Sequence, residues 1–234
     1  MVISGLQKMS LVDFPGKVCC TVFTGGCDLR CPFCHNFELV LHPVKEMEIE
    51  ELLAFLKKRR GLLDGVCITG GEPCLHRDLP DLMQQIRDLG FAVKLDTNGN
   101  HPDVLKAVLE RGVADYVAID VKNSPERYAP TVGLEQFDLT AYKESLRILM
   151  ASGCDYELRT TVIDELHDED SFLGIRDMLA ELLEGRKLPH YFLQAFHDRD
   201  TVPFEGFHAP SKEKLEAYAA IMSTISESCA IRGV

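Results

Sequence analysis

Six short runs of aliphatic and β-branched residues alternate along the chain with longer stretches of helical periodicity, and that alternation restricts the fold more than any single motif. The runs are VCCTVF (18–23), GVCITG (65–70), AVKLD (92–96), YVAID (116–120), YELRTTV (156–162) and YFLQAF (191–196). Between them Ile49, Leu52, Leu53 and Leu56 follow the i, i+3, i+4, i+7 spacing of an amphipathic helix. A second helix reads over 79–89 and stops at Gly90, and a third over 102–110 lies between Pro102 and Gly112. Further helices read over 140–151 and 168–183, 123–139 reads as irregular, and a helix over 211–226 closes the chain. Strands alternating with helices imply a parallel sheet. No glycine-rich dinucleotide fingerprint follows the first run, which disfavours a doubly wound nucleotide-binding sheet. The expected fold is α/β: a partial TIM barrel, a (β/α)6 parallel curved sheet with helices outside. No linker or composition shift divides it, so residues 1–234 are expected to form a single domain.

The polar and glycine-rich residues cluster just after the strands. Thr24-Gly25-Gly26 and three cysteines follow the first run, and Thr69-Gly70-Gly71-Glu72-Pro73 ends the second. Asp96-Thr97-Asn98-Gly99 ends the third, Asp120 and Lys122 the fourth; Arg159 and Thr161 lie in the fifth, and Gln194 and His197 lie near the end of the sixth. In a parallel barrel these points share one rim, where barrel enzymes build their sites.

Cys27, Cys31 and Cys34 are spaced C-x3-C-x2-C. The N-terminus lacks a signal-peptide pattern, and no segment reaches the roughly 18 apolar residues of a membrane span. The expected location is the cytoplasm, with no membrane partner. Thiols stay reduced there, which argues against a disulfide framework. C-x-x-C-H at Cys31–His35 matches a haem attachment literally, but that chemistry normally accompanies export. Zinc would need four ligands, and adjacent Cys34 and His35 would have to bend to one ion. A [4Fe–4S] cluster held by three thiolates leaves one iron open to a small molecule. Cys74, just beyond the Gly-Gly-Glu-Pro turn, is a possible extra ligand. Lys plus Arg number 25 against 37 Asp plus Glu, a net charge of −12, which disfavours nucleic acid as a partner.

C-x3-C-x2-C after a first strand, an aromatic residue before the last cysteine, and Gly-Gly-Glu-Pro after a second strand together resemble the radical S-adenosylmethionine (SAM) superfamily. The resemblance covers nearly the whole chain. It implies a [4Fe–4S] cluster on Cys27, Cys31 and Cys34, with the amino and carboxylate groups of SAM on the open iron. Gly70 and Gly71 would let strand-end carbonyls approach the SAM ammonium, Glu72 would add a charge-assisted bond, and Phe33 would lie near the adenine. Asp96-Thr97 and Asp120 resemble segments that line the SAM site in activating enzymes for glycyl-radical proteins, where a monovalent cation can sit between the acids. Lys122 lies beside them, Arg159 would contact the ribose or SAM carboxylate, and His197 is a further candidate. Such chemistry takes a hydrogen atom from the substrate, and no side-chain acid or base is nominated for it.

The segments SLVDFPGKV, KKRRGLLDGVCITGGEP, KLDTNG, DYVAIDVK and YELRTTV further resemble the activating proteins of anaerobic ribonucleotide reductase, which are related to pyruvate formate-lyase activating enzyme. That implies a glycyl-radical enzyme as partner and flavodoxin or ferredoxin as electron donor. Two other readings stay open: a small radical SAM enzyme of the 7-carboxy-7-deazaguanine synthase type, and a non-catalytic iron–sulfur or zinc-binding module.

Overall fold

The computed structural model describes residues 1–41 and 44–233. Its centre is one eight-stranded sheet in sequential order: β1 (Ile3–Ser10), β2 (Cys19–Thr24), β3 (Gly65–Gly70), β4 (Ala92–Thr97), β5 (Tyr116–Asp120), β6 (Asp155–Val162), β7 (Leu188–Ala195) and β8 (Ser226–Arg232). β1 runs antiparallel to β2, and every other neighbouring pair is parallel. The parallel crossovers carry α1 (Phe37–Leu41) and α2 (Ile49–Arg59), α3 (Leu79–Asp88), α4 (Pro102–Glu110), α5 (Tyr128–Thr131) and α6 (Thr140–Ala151), α7 (Glu169–Leu183) and α8 (Lys212–Ser223). β1 and β8 remain edges, so the curved sheet is an open partial barrel with its helices outside.

Period-two alternation explains how one strand serves two environments. Val93 and Leu95 of β4, Val117 and Ile119 of β5 and Leu158 of β6 face the helices. There they join Leu82, Ile86, Leu105, Leu146, Ile175 and Leu179 in the main apolar core. The alternate residues Lys94, Asp96, Glu157, Arg159 and Gln194 line the concave face. Most barrel interiors of this kind are packed with branched aliphatics; this one carries ion pairs above a small apolar floor of Phe14, Cys19 and Cys67.

Three elements differ from the sequence reading. β1 was not expected. The terminal helix stops at Ser223, and 226–232 form β8 beside β7 instead of prolonging that helix. The 123–139 stretch contains a 3-10 turn at Pro125–Arg127 and α5. The parallel (β/α) core therefore has seven strands rather than six, with an antiparallel strand added at the N-terminal edge. Among the described residues, no helix is long and apolar enough to cross a membrane.

Candidate functional site

Three strand-end loops meet at the rim, and backbone hydrogen bonds lock them together. In the cysteine loop between β2 and α1, Gly26 N–H donates to Leu39 O at 2.8 Å and Arg30 N–H to Val132 O at 2.9 Å. The next turn, after β3, donates back: Gly71 N–H to Thr24 O at 2.8 Å and Glu72 N–H to Gly26 O at 2.7 Å. A Cβ on Gly71 would lie 1.9 Å from Gly26 O. Glycine at 71 is therefore required by this backbone contact, whatever the turn binds.

Cys27, Cys31 and Cys34 are all free thiols and all line one cavity of about 220 Å³. Burial pushes the thiols of Cys27 and Cys31 up to about 12 and about 11 and also raises that of Cys34. Left alone they stay protonated; metal binding would displace those protons. Among the described residues, no three His, Cys, Asp or Glu side chains converge on a single-ion site. Three thiols lining one cavity can serve a polynuclear cluster, in which each thiolate takes its own iron. His35 stacks on Phe196, centroids 5.6 Å apart, and its Nε2 lies 2.7 Å from His197 O, tying the loop to the end of β7. Cys74 is buried behind the turn and does not line the cavity.

Glu72 is 1 % exposed. Its Oε1 accepts from Cys74 N (2.9 Å) and Thr97 Oγ1 (2.6 Å), and its Oε2 accepts from Asn98 N at 2.6 Å. Burial pushes the carboxyl up to about 7 against the pull of those donors. Glu72 lines the cavity, yet most of its hydrogen-bonding capacity joins the β3 turn to the β4 turn. Thr97 is part of the same staple, and its Oγ1 also accepts from Gly99 N.

Beneath the turns lies a ladder of alternating charges. Arg159 Nε donates to Asp120 Oδ1 at 2.6 Å, and its Nη1 lies 3.0 Å from Asp96 Oδ2. Lys122 completes Asp120 at 2.8 Å, and Lys94 completes Asp96 at 2.5 Å. Arg232 reaches down from β8 to Glu157, with both contacts at 2.9 Å. Burial alone would raise the Asp120 carboxyl, but Arg159 and Lys122 outweigh it and hold it below the usual carboxylate range. Burial would likewise lower Lys122 and Arg159, and Asp120 reverses both. The Arg159 guanidinium lies between Asp96 and Asp120, the place a monovalent cation can take in the activating enzymes those segments resemble.

The structure thus brings together Cys27, Cys31, Phe33, Cys34, Gly70, Gly71, Glu72, Asp96, Thr97, Asp120, Lys122 and Arg159 around one cavity. His197 is exposed, and its contact with the site runs through its backbone carbonyl. Sequence reasoning did not nominate Asn36, whose amide donates to Gly70 O at 3.2 Å, nor Asn98 and Gln194, which it placed on the rim without assigning them to the site. The β-strand parity of Gln194 with Phe192 and Leu193 was the available signal. An adjoining chamber of about 440 Å³ shares Asp96, Arg159 and Gln194 with the cavity and opens toward Leu11–Pro15. Alone the 220 Å³ cavity is small for a ligand site of roughly 300–1,000 Å³; with its neighbour it is not.

This geometry agrees with what the chain is similar to. The family model of the radical SAM superfamily matches residues 21–179. A protein of Methanocaldococcus jannaschii, provisionally named a glycyl-radical enzyme activating enzyme, is 29 % identical over 99 % of this chain and 96 % of its own. A 7-carboxy-7-deazaguanine synthase of Aquifex aeolicus is 36 % identical, over 32 % of this chain and 33 % of its own. The crystal structure of a domain of pyruvate-formate lyase-activating enzyme from Bacteroides vulgatus superposes with a TM-score of 0.59 at 20 % identity, covering 72 % of this chain and 99 % of that one. The chain belongs to the radical SAM superfamily, and it is an enzyme of the kind that works with a [4Fe–4S] cluster and SAM.

Proposed function

We propose that this enzyme, acting as a single domain, takes a hydrogen atom from a glycine Cα of a partner protein and so installs a glycyl radical. The partner we infer is an anaerobic ribonucleotide reductase, and the electron donor a flavodoxin or ferredoxin. Cys27, Cys31 and Cys34 hold the cluster. SAM lies against the turns at Gly70–Glu72 and Asp96–Thr97, with Phe33 by its adenine and Lys122 and Arg159 on its polar groups. When bound, the cluster and SAM supply a carbon-centred radical able to abstract hydrogen. The protein's own part is to hold the three sulfurs apart, brace the two SAM turns through Glu72, and wall the reaction off from solvent. No side chain is assigned as acid or base.

The observation that carries this reading is the convergence of three thiols and five strand ends on one cavity. Coverage favours activation over metabolite chemistry: the similarity to the archaeal activating-enzyme relative covers 99 % of the chain, while that to 7-carboxy-7-deazaguanine synthases covers from 32 % to 68 % of it. The test is anaerobic reconstitution, reduction with SAM present, and incubation with the candidate reductase. A glycine-centred EPR doublet on the partner is expected. 5′-Deoxyadenosine without any partner radical would refute the activase reading and leave the radical SAM assignment standing.

A further inference from the structure

We propose that Asn98 sets the reduction potential of the cluster by donating a hydrogen bond to the sulfur of Cys27. This rests on the cluster assignment above and goes beyond it. The Asn98 side chain reaches from the end of β4 across to the cysteine loop. Its Nδ2 lies 2.7 Å from Asp28 Oδ1 and 3.9 Å from Cys27 Sγ, the long end of an N–H···S contact. The two acceptors are neighbours, Asp28 Oδ1 lying 3.9 Å from Cys27 Sγ, so the amide group bonds the carboxylate and lies within reach of the sulfur. The orientation of the amide is determined. Its Oδ1 accepts from Asn100 N at 2.9 Å, and a flipped amide would set that oxygen against the Asp28 carboxylate. The backbone is pinned as well, since Asn98 N–H donates to buried Glu72.

Cys27 is thereby singled out among the three ligands. It receives the backbone N–H of Leu29 at 3.4 Å and a side-chain amide from a different strand end. Hydrogen bonds to cluster sulfurs stabilise the more negative, reduced state and raise the potential. Asn98 is buried, which strengthens the effect. Asp28 acts as the anchor: it accepts from Asn98, from Asn100 at 2.5 Å, and lies 3.3 Å from His101 Nε2. Asn100 therefore shares the anchor without touching sulfur, which makes it the natural comparator.

The experiment is an EPR-monitored redox titration of the reconstituted parent, Asn98→Leu and Asn100→Ala proteins without SAM, with iron counted per chain. Asn98→Leu keeps the volume and removes the donor. It is expected to retain its iron and to lower the reduction equilibrium constant about tenfold, which is 59 mV for one electron. Asn100→Ala is expected to stay within about twofold of the parent. The inference is overturned if Asn98→Leu stays within twofold of the parent, if Asn100→Ala shifts as much, or if Asn98→Leu holds less than half the parent's iron. That last result would make Asn98 a structural clamp. If Asn100→Ala does not load, Asn98→Leu against the parent decides alone. A parent that assembles no cluster would refute the cluster assignment itself, a separate failure.

Discussion

Gly71 and Arg159 show two different reasons for a residue to be fixed at this site. At Gly71 the constraint is space. Alanine there would drive a Cβ into Gly26 O, and the two turns would have to part. We expect Gly71→Ala to cost about 1–3 kcal/mol and to weaken cluster retention, checked by urea unfolding and iron content; a fully stable, iron-loaded variant would contradict the contact. At Arg159 the constraint is charge. Its guanidinium separates Asp96 from Asp120, and it is largely buried. Breaking such a network from one side leaves uncompensated carboxylates, and we expect Arg159→Ala to cost about 3–5 kcal/mol. Because a cation could then occupy the gap, sodium or potassium should stabilise the variant and leave the parent unchanged. Equal salt response in both would show that the guanidinium does not fill a cation's place. The rim residues were legible in sequence because each follows a strand. Their pairing across strands was not: Arg159 with Asp96 and Asp120, and Arg232 with Glu157, become visible only once the strands are registered and curved.

At the scale of elements, β2 to β7 could be read because each carries buried aliphatics on its helix-facing side and is bounded by stretches of helical periodicity. β1, with the sequence ISGLQKMS, and β8, SESCAIR, are partly exposed edge strands whose polar content hides them. β8 matters to the site because it supplies Arg232 to Glu157, a carboxylate with no exposed surface. The entry to α7 carries a pH dependence. His167 is buried; its Nε2 lies 2.8 Å from Lys122 O, while its Nδ1 takes the Ile163 N–H at 3.1 Å. Burial lowers its pKa below the usual 6.5. Below pH 6.5 the unfolded chain therefore binds a proton that the folded chain refuses, and stability falls as pH drops through that range. We expect His167→Gln to have a shallower fall in urea midpoint between about pH 6.5 and 5 than the parent. Parallel curves would remove His167 from the account.

The whole molecule is a half-open barrel with a concave face that is polar at the rim, ionic in the middle and apolar only at its floor. The ion ladder holds the Asp120 carboxyl below the usual carboxylate range and fixes Asp96 and Asp120 on either side of Arg159. Facing the open side, Leu11 and Val12 are 69 % and 85 % exposed beside the second chamber. The architecture and the rim followed from the chain's alternation alone. The partial barrel was expected; its two edge strands, β1 and β8, were not. The central claim is that three cysteines, and no fourth side chain, hold a [4Fe–4S] cluster that takes SAM at its free iron. The most direct measurement is the EPR spectrum of the reduced, anaerobically reconstituted protein before and after addition of SAM. We predict a [4Fe–4S]+ signal whose g-values change on addition of SAM, with 5′-deoxyadenosine formed. A single bound metal ion, or a cluster signal indifferent to SAM, would contradict the account.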